Sequence, residues 1–83
     1  MRKMTTNEIF ELLFGEGKLS TTEISLKMNH STGYLSKYRY RKSVPSTDVM
    51  ARIMDAVDYD LLIRNRTTGE EILVDPDRHD MTT

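Results

Sequence analysis

Six consecutive residues, Lys37-Tyr38-Arg39-Tyr40-Arg41-Lys42, put four cations and two phenol rings on one short piece of chain. Just before them stand Ser31, Thr32, Gly33 and Ser36, small and mostly hydroxylated. Ammonium and guanidinium groups pair with phosphate oxygens, and hydroxyls bond to phosphates or base edges. A glycine among them lets the backbone come close to whatever is bound. The chemistry on offer is recognition of a polyanion. Bond-making chemistry is poorly represented. There is no cysteine, which excludes disulfides, zinc–thiolate sites and thiol nucleophiles. His30 has no second histidine or paired acid at metal-ligand spacing, so it is expected to be a partly buried turn residue. His79 with Asp77 and Asp80 has the composition of a metal grip, but an acidic, solvated tail is the expectation there. No nucleophile–base pair, phosphate loop or carboxylate dyad appears, so neither enzyme activity nor a cofactor is expected. Tyr38 and Tyr40 between cations could stack on single-stranded bases. Helical spacing assigns Tyr38 to a core, which leaves Tyr40 alone for that role.

The net charge of −1 over 83 residues conceals an uneven distribution. Residues 1–43 carry eight Lys/Arg against four Glu, a balance of +4. Residues 44–83 carry four Arg against nine acids, a balance of −5. The field of one face, not the total, decides whether a polyanion is attracted.

The elements that must hold these groups follow from capping signals and apolar period. Thr5-Thr6-Asn7-Glu8 is a capping box, and Ile9, Phe10, Leu12, Leu13 and Phe14 give the helix after it a broad apolar face. Gly15 and Gly17 are expected to end it through the left-handed conformation. Ser20-Thr21-Thr22-Glu23 opens a second, short helix with Ile24 and Met28 on one side and Leu26 packed elsewhere. Asn29 is the turn residue, tolerant of positive φ. Ser31 is the expected N-cap of a third helix running to about residue 38. Leu35 and Tyr38 then face the core, and Thr32, Gly33, Ser36 and Lys37 lie outside. Two short helices joined by so tight a turn cross steeply, the helix-turn-helix geometry.

Val44-Pro45-Ser46 is a boundary, since proline extends the residue before it and Ser46 can cap a fourth helix. Val49, Met50, Ile53, Met54 and Val57 form that helix's stripe. From Asp60 the period becomes strand-like: Leu61–Arg66, a turn at Thr67-Thr68-Gly69, and Glu70–Val74, a β-hairpin closing near Asp75-Pro76. A lone hairpin is barely stable, so it must pack on the helices or on another chain. Leu61, Ile63, Ile72 and Val74 are the dimerisation candidates. The expected organisation is a helix-turn-helix domain over 1–58, a hairpin over 59–75 and a flexible tail over 76–83. No apolar run approaches the roughly 18 residues of a membrane span. The N-terminal stretch lacks the apolar core of a signal peptide, so a cytoplasmic protein is expected.

The segments Glu23-Ile24-Ser25, Ser31-Thr32-Gly33-Tyr34-Leu35-Ser36-Lys37, Pro45-Ser46 and Ile53-Met54-Asp55-Ala56-Val57 together resemble the Cro- and phage-repressor-like (XRE-type) helix-turn-helix family. The likeness spans residues 21–57. It implies a mainly α fold, a compact four-helix domain here followed by the hairpin, and sequence-specific binding of double-stranded DNA by a homodimeric transcriptional regulator, usually a repressor. By position it assigns Ser31, Thr32, Gly33, Ser36 and Lys37 to bases or the groove. Thr22 is assigned to a phosphate, and Arg39, Tyr40, Arg41 and Lys42 join it on the adjacent basic loop. Ser25 stands where the family pattern has alanine, and Asn29 where it has glycine. The alternative is a protein-binding module on the same scaffold, such as a phage-encoded inhibitor (an anti-CRISPR, for example) or an antitoxin-like partner, with the acidic half facing a basic protein.

Overall fold

The computed structural model describes residues 2–76. The expectations for His79, Asp77, Asp80 and the rest of the tail beyond Pro76 lie outside the described residues. Four helices precede a two-stranded antiparallel sheet: α1 Thr6–Phe14, α2 Thr21–Lys27, α3 Ser36–Arg39, α4 Thr47–Ala56, β1 Leu62–Arg64 and β2 Glu71–Leu73. The chain divides into two compact units, Met1–Val44 and Pro45–Thr83. The break falls at the proline boundary.

In the N-terminal unit α1 starts as its capping box dictates. The Thr5 hydroxyl accepts from Glu8 N–H at 3.2 Å, and Glu8 Oε1 accepts from Thr5 N–H at 2.7 Å. Those bonds, the backbone one foremost, hold the Glu8 carboxyl below its ordinary pKa. Phe10, Leu13 and Phe14 are buried. Phe10 stacks on Phe14 with centroids 5.9 Å apart and on Tyr38 at 5.6 Å. Burying side chains of this size stabilises by about 1.5–3 kcal/mol each. The helix does not end as expected from its glycines. Gly15 is extended, with φ −62 and ψ 175, and only Gly17 is left-handed at φ +79. Gly15 is needed because a Cβ there would run into the Glu11 carbonyl.

Helix α2 is capped by the Ser20 hydroxyl, which accepts from Glu23 N–H. It ends in a Schellman motif: Asn29 has φ +63, Asn29 N–H donates to the Leu26 carbonyl (2.9 Å) and His30 N–H to the Ser25 carbonyl (3.0 Å). Leu26 is exposed, not packed elsewhere.

In the C-terminal unit the Ser46 hydroxyl accepts from Val49 N–H and starts α4, which buries Met50, Ala51, Ile53 and Met54. Arg52 pairs with Asp48 one turn back at 2.7 Å. A second Schellman ending places Asp58 at φ +64 and joins Tyr59 N–H to the Met54 carbonyl. The hairpin pairs Leu62 with Leu73, Ile63 with Ile72 and Arg64 with Glu71. Its regular strands are three residues each, shorter than expected, although Val74 N–H still reaches the Leu61 carbonyl. At the loop, Asn65 Oδ1 accepts from Thr67 and Thr68 N–H, and Gly69 N–H closes onto the Asn65 carbonyl. No helix among the described residues is long and apolar enough to cross a membrane.

Candidate nucleic-acid interface

The segment after Asn29 departs most from the sequence expectation. The helix expected over 31–38 is α over Ser36–Arg39 only, with Leu35 at its N-cap and no side-chain cap. Ser31 is not the cap. Residues 31–36 instead wind by bonds of three-residue span, Tyr34 N–H to the Ser31 carbonyl (3.1 Å) and Ser36 N–H to the Gly33 carbonyl (3.2 Å). Ser, Thr and Gly are poor helix formers, and a run of them does not support a regular α turn. A four-residue helix has no stability of its own. Packing holds this one: Leu35 is fully buried, Tyr38 is 6% exposed, and Tyr38 lies against Phe10.

Above that buried pair the polar residues face out. Ser31, Thr32, Gly33 and Lys37 are exposed and Ser36 is half-buried. Thr22 is exposed in the first turn of α2. Nothing lies within 4 Å of where a Cβ on Gly33 would stand. His30, half-buried as expected, stacks face to face on Tyr34 at 3.8 Å and 7°. The Lys37 ammonium lies 5.4 Å from the Tyr34 ring centroid and 5.1 Å from that of Tyr38. Those two rings fix where its charge sits.

The basic run does not act as one block. Arg39 was grouped by sequence with the phosphate-facing residues, but its side chain turns toward α1. Its Nε donates to Glu11 Oε1 at 3.4 Å, its Nη1 donates to the Tyr40 hydroxyl at 2.6 Å, and its guanidinium covers the Tyr40 ring at 4.6 Å. That side chain is 18% exposed, against 53% for Glu11. Tyr40 is 62% exposed. Arg41 and Lys42 are exposed, and Lys42 takes the left-handed conformation at φ +60. Ser43 N–H then returns to the Lys37 carbonyl at 3.1 Å and folds the loop under the helix end. The groups presented to solvent are thus the edge of 31–33, Lys37, Tyr40, Arg41 and Lys42.

Sequence reasoning missed Ser25. It is fully buried in α2, and its hydroxyl donates to the Thr21 carbonyl at 2.6 Å while accepting from Leu35 N–H at 3.2 Å. A serine inside a short helix, able to bond back to the carbonyl four residues before it, is the available signal. Reasoning from sequence also missed Leu62 and Leu73. They are 47% and 53% exposed on the hairpin face opposite to Ile63 and Ile72, themselves 57% and 52% exposed. Leu61 and Val74 are half-buried. No group of His, Cys, Asp and Glu among the described residues is arranged to hold a metal ion. No protein-family model, curated protein or solved structure matches this chain.

Proposed function

We propose that this chain is a sequence-specific double-stranded DNA-binding regulator of the Cro/repressor-like helix-turn-helix kind, acting as a homodimeric repressor in the cytoplasm. One observation carries the reading: a short helix is anchored by buried Leu35 and Tyr38 while Ser31, Thr32 and Gly33 in the turns before it and Lys37 on it stand exposed. The turn at Asn29 supports it, as does the +4 balance of residues 1–43. In this reading the edge 31–37 enters the major groove. Lys37 takes a guanine or a phosphate, and Thr22, Tyr40, Arg41 and Lys42 hold the backbone on either side. Arg39 positions the loop through Glu11 and adds its charge without donating to phosphate. Short side chains at 31–33 read few base edges directly, so DNA shape and bridging water carry part of the selectivity. The hairpin joins the protomers.

The test is titration into duplex DNA at two salt concentrations. Affinity is expected to fall with a slope of about −0.9 per phosphate neutralised. Binding that is absent at low salt overturns the reading.

The exposed hairpin supports a second reading, a protein-binding module. Leu62, Ile63, Ile72 and Leu73 are exposed together in the half of the chain whose balance is −5. A partner with a basic, apolar segment suits such a surface. Indifference of the chain to DNA, with binding to a protein of that character lost in Ile63→Ser, is its signature.

A further inference from the structure

Among the described residues Ser25 is the sole polar member of the buried set. Its hydroxyl both donates and accepts. The proton goes to the Thr21 carbonyl in its own helix, and a lone pair receives the Leu35 N–H from the next segment. An α-helix starting at residue 31 would send that N–H four residues back, to the Ser31 carbonyl. The Ser31 carbonyl is instead taken by Tyr34 N–H, three residues on. Regular α bonding begins only with Arg39 N–H to the Leu35 carbonyl and Tyr40 N–H to the Ser36 carbonyl. The residue at which α3 begins therefore coincides with the point where Ser25 withdraws a backbone donor.

We propose that Ser25 is a positioning residue whose hydroxyl fixes the start of α3, and so the direction in which Ser31, Thr32 and Gly33 meet a DNA duplex. The functional half of this proposal rests on the DNA-binding reading above. Without the hydroxyl the Leu35 N–H must turn to a carbonyl of its own segment, Thr32 three residues back or Ser31 four back, and the regular α bond is the one to Ser31. Taking it winds 31–35 from about three residues per turn toward about 3.6. Side chains along that turn then rotate relative to Leu35 and Tyr38, which stay buried.

The experiment compares backbone chemical shifts of residues 31–35 in the full chain, in Ser25→Ala and in Ser25→Thr. Ser25→Ala is expected to move the Cα shifts of 31–35 toward helical values. Ser25→Thr, which keeps an oxygen, leaves them as they are. Shifts at 31–35 that do not respond to Ser25→Ala overturn the proposal. Should either variant fail to fold, amide exchange in the unaltered chain decides. Protection of the Leu35 N–H equal to that of Arg39 supports the proposal, and exchange as fast as at Thr32 overturns it. In parallel, each chain selects from a pool of randomised duplexes. Ser25→Ala is expected to change relative enrichment of the favoured sequence about tenfold. Its affinity for one arbitrary duplex should stay within about twofold. An unchanged preference overturns the functional half. If the unaltered chain selects no sequence, the DNA reading is what has failed, and the shift comparison still decides the role of Ser25.

Discussion

The two units expose different kinds of surface for different reasons. In the N-terminal unit the outward residues of the candidate edge stand beside buried ones: Thr32 and Gly33 precede Leu35, and Lys37 precedes Tyr38. Its surface is a by-product of its core, and the aromatic contacts of Phe10 fix both at once. In the C-terminal unit α4 behaves the same way, but the hairpin does not. Leu62 and Leu73 lie on one face and Ile63 and Ile72 on the other, and all four are about half exposed. Alternation along a strand normally separates inside from outside. Here it separates two apolar outsides. A polar surface over a core is specified by the chain that bears it, whereas the two-faced apolar hairpin leaves both faces about half exposed.

The widest gap between the two regions should appear in stability. Phe10→Ala is expected to cost about 3–5 kcal/mol in denaturant unfolding. A loss below about 1 kcal/mol would mean the aromatic cluster does not hold the N-terminal unit. Helix caps, being local, should not distinguish the units. Ser20→Ala and Ser46→Ala are each expected to cost about 1 kcal/mol, and a large inequality would break that equivalence. Within the basic run the comparison sharpens to neighbouring cations. Lys42→Ala should reduce the salt slope of DNA binding by about 1. Arg39→Ala should leave the slope nearly unchanged and cost up to about 1 kcal/mol of stability, as befits a partly exposed pair with Glu11. A slope that drops for Arg39 and not for Lys42 would reverse their assigned roles. Ile63→Ser should alter stability by no more than about 0.5 kcal/mol at low protein concentration. A larger loss that grows with protein concentration would identify a second copy as the hairpin's cover.

The smallest effect concerns pH. The folded-state pKa of Glu8 is lowered by its bonds to Thr5. Its contribution is therefore complete above the ordinary glutamate value and disappears as pH falls through the folded value. Glu8→Gln should flatten the acid limb of the stability profile below about pH 4.3. An unchanged limb would remove the capping box from the account.

The starts of α1, α2 and α4 were legible because their capping signals are local. The hydroxyls of Thr5, Ser20 and Ser46 each meet an amide three residues on, whatever the rest of the chain does. The burial of Leu35 and Tyr38 was legible from period alone. The start of α3 was not, because it depends on Leu35 N–H leaving for Ser25, ten residues earlier. Nor was the fate of Arg39, whose partner Glu11 lies 28 residues away. Cation runs report composition, while the direction of each side chain is settled by distant acids and rings. The hairpin's second apolar face was not legible, because alternation along a strand ordinarily leaves one face polar.

Gly15 bears on how freely this sequence can drift. With the Glu11 carbonyl standing where a side chain would begin, even alanine forces the end of α1 to shift, and the fully buried Phe14 shifts with it. Gly33, surrounded by open space, imposes no such toll. The exposed turn can therefore try new residues, while the corner beside the Glu11 carboxylate must stay as it is.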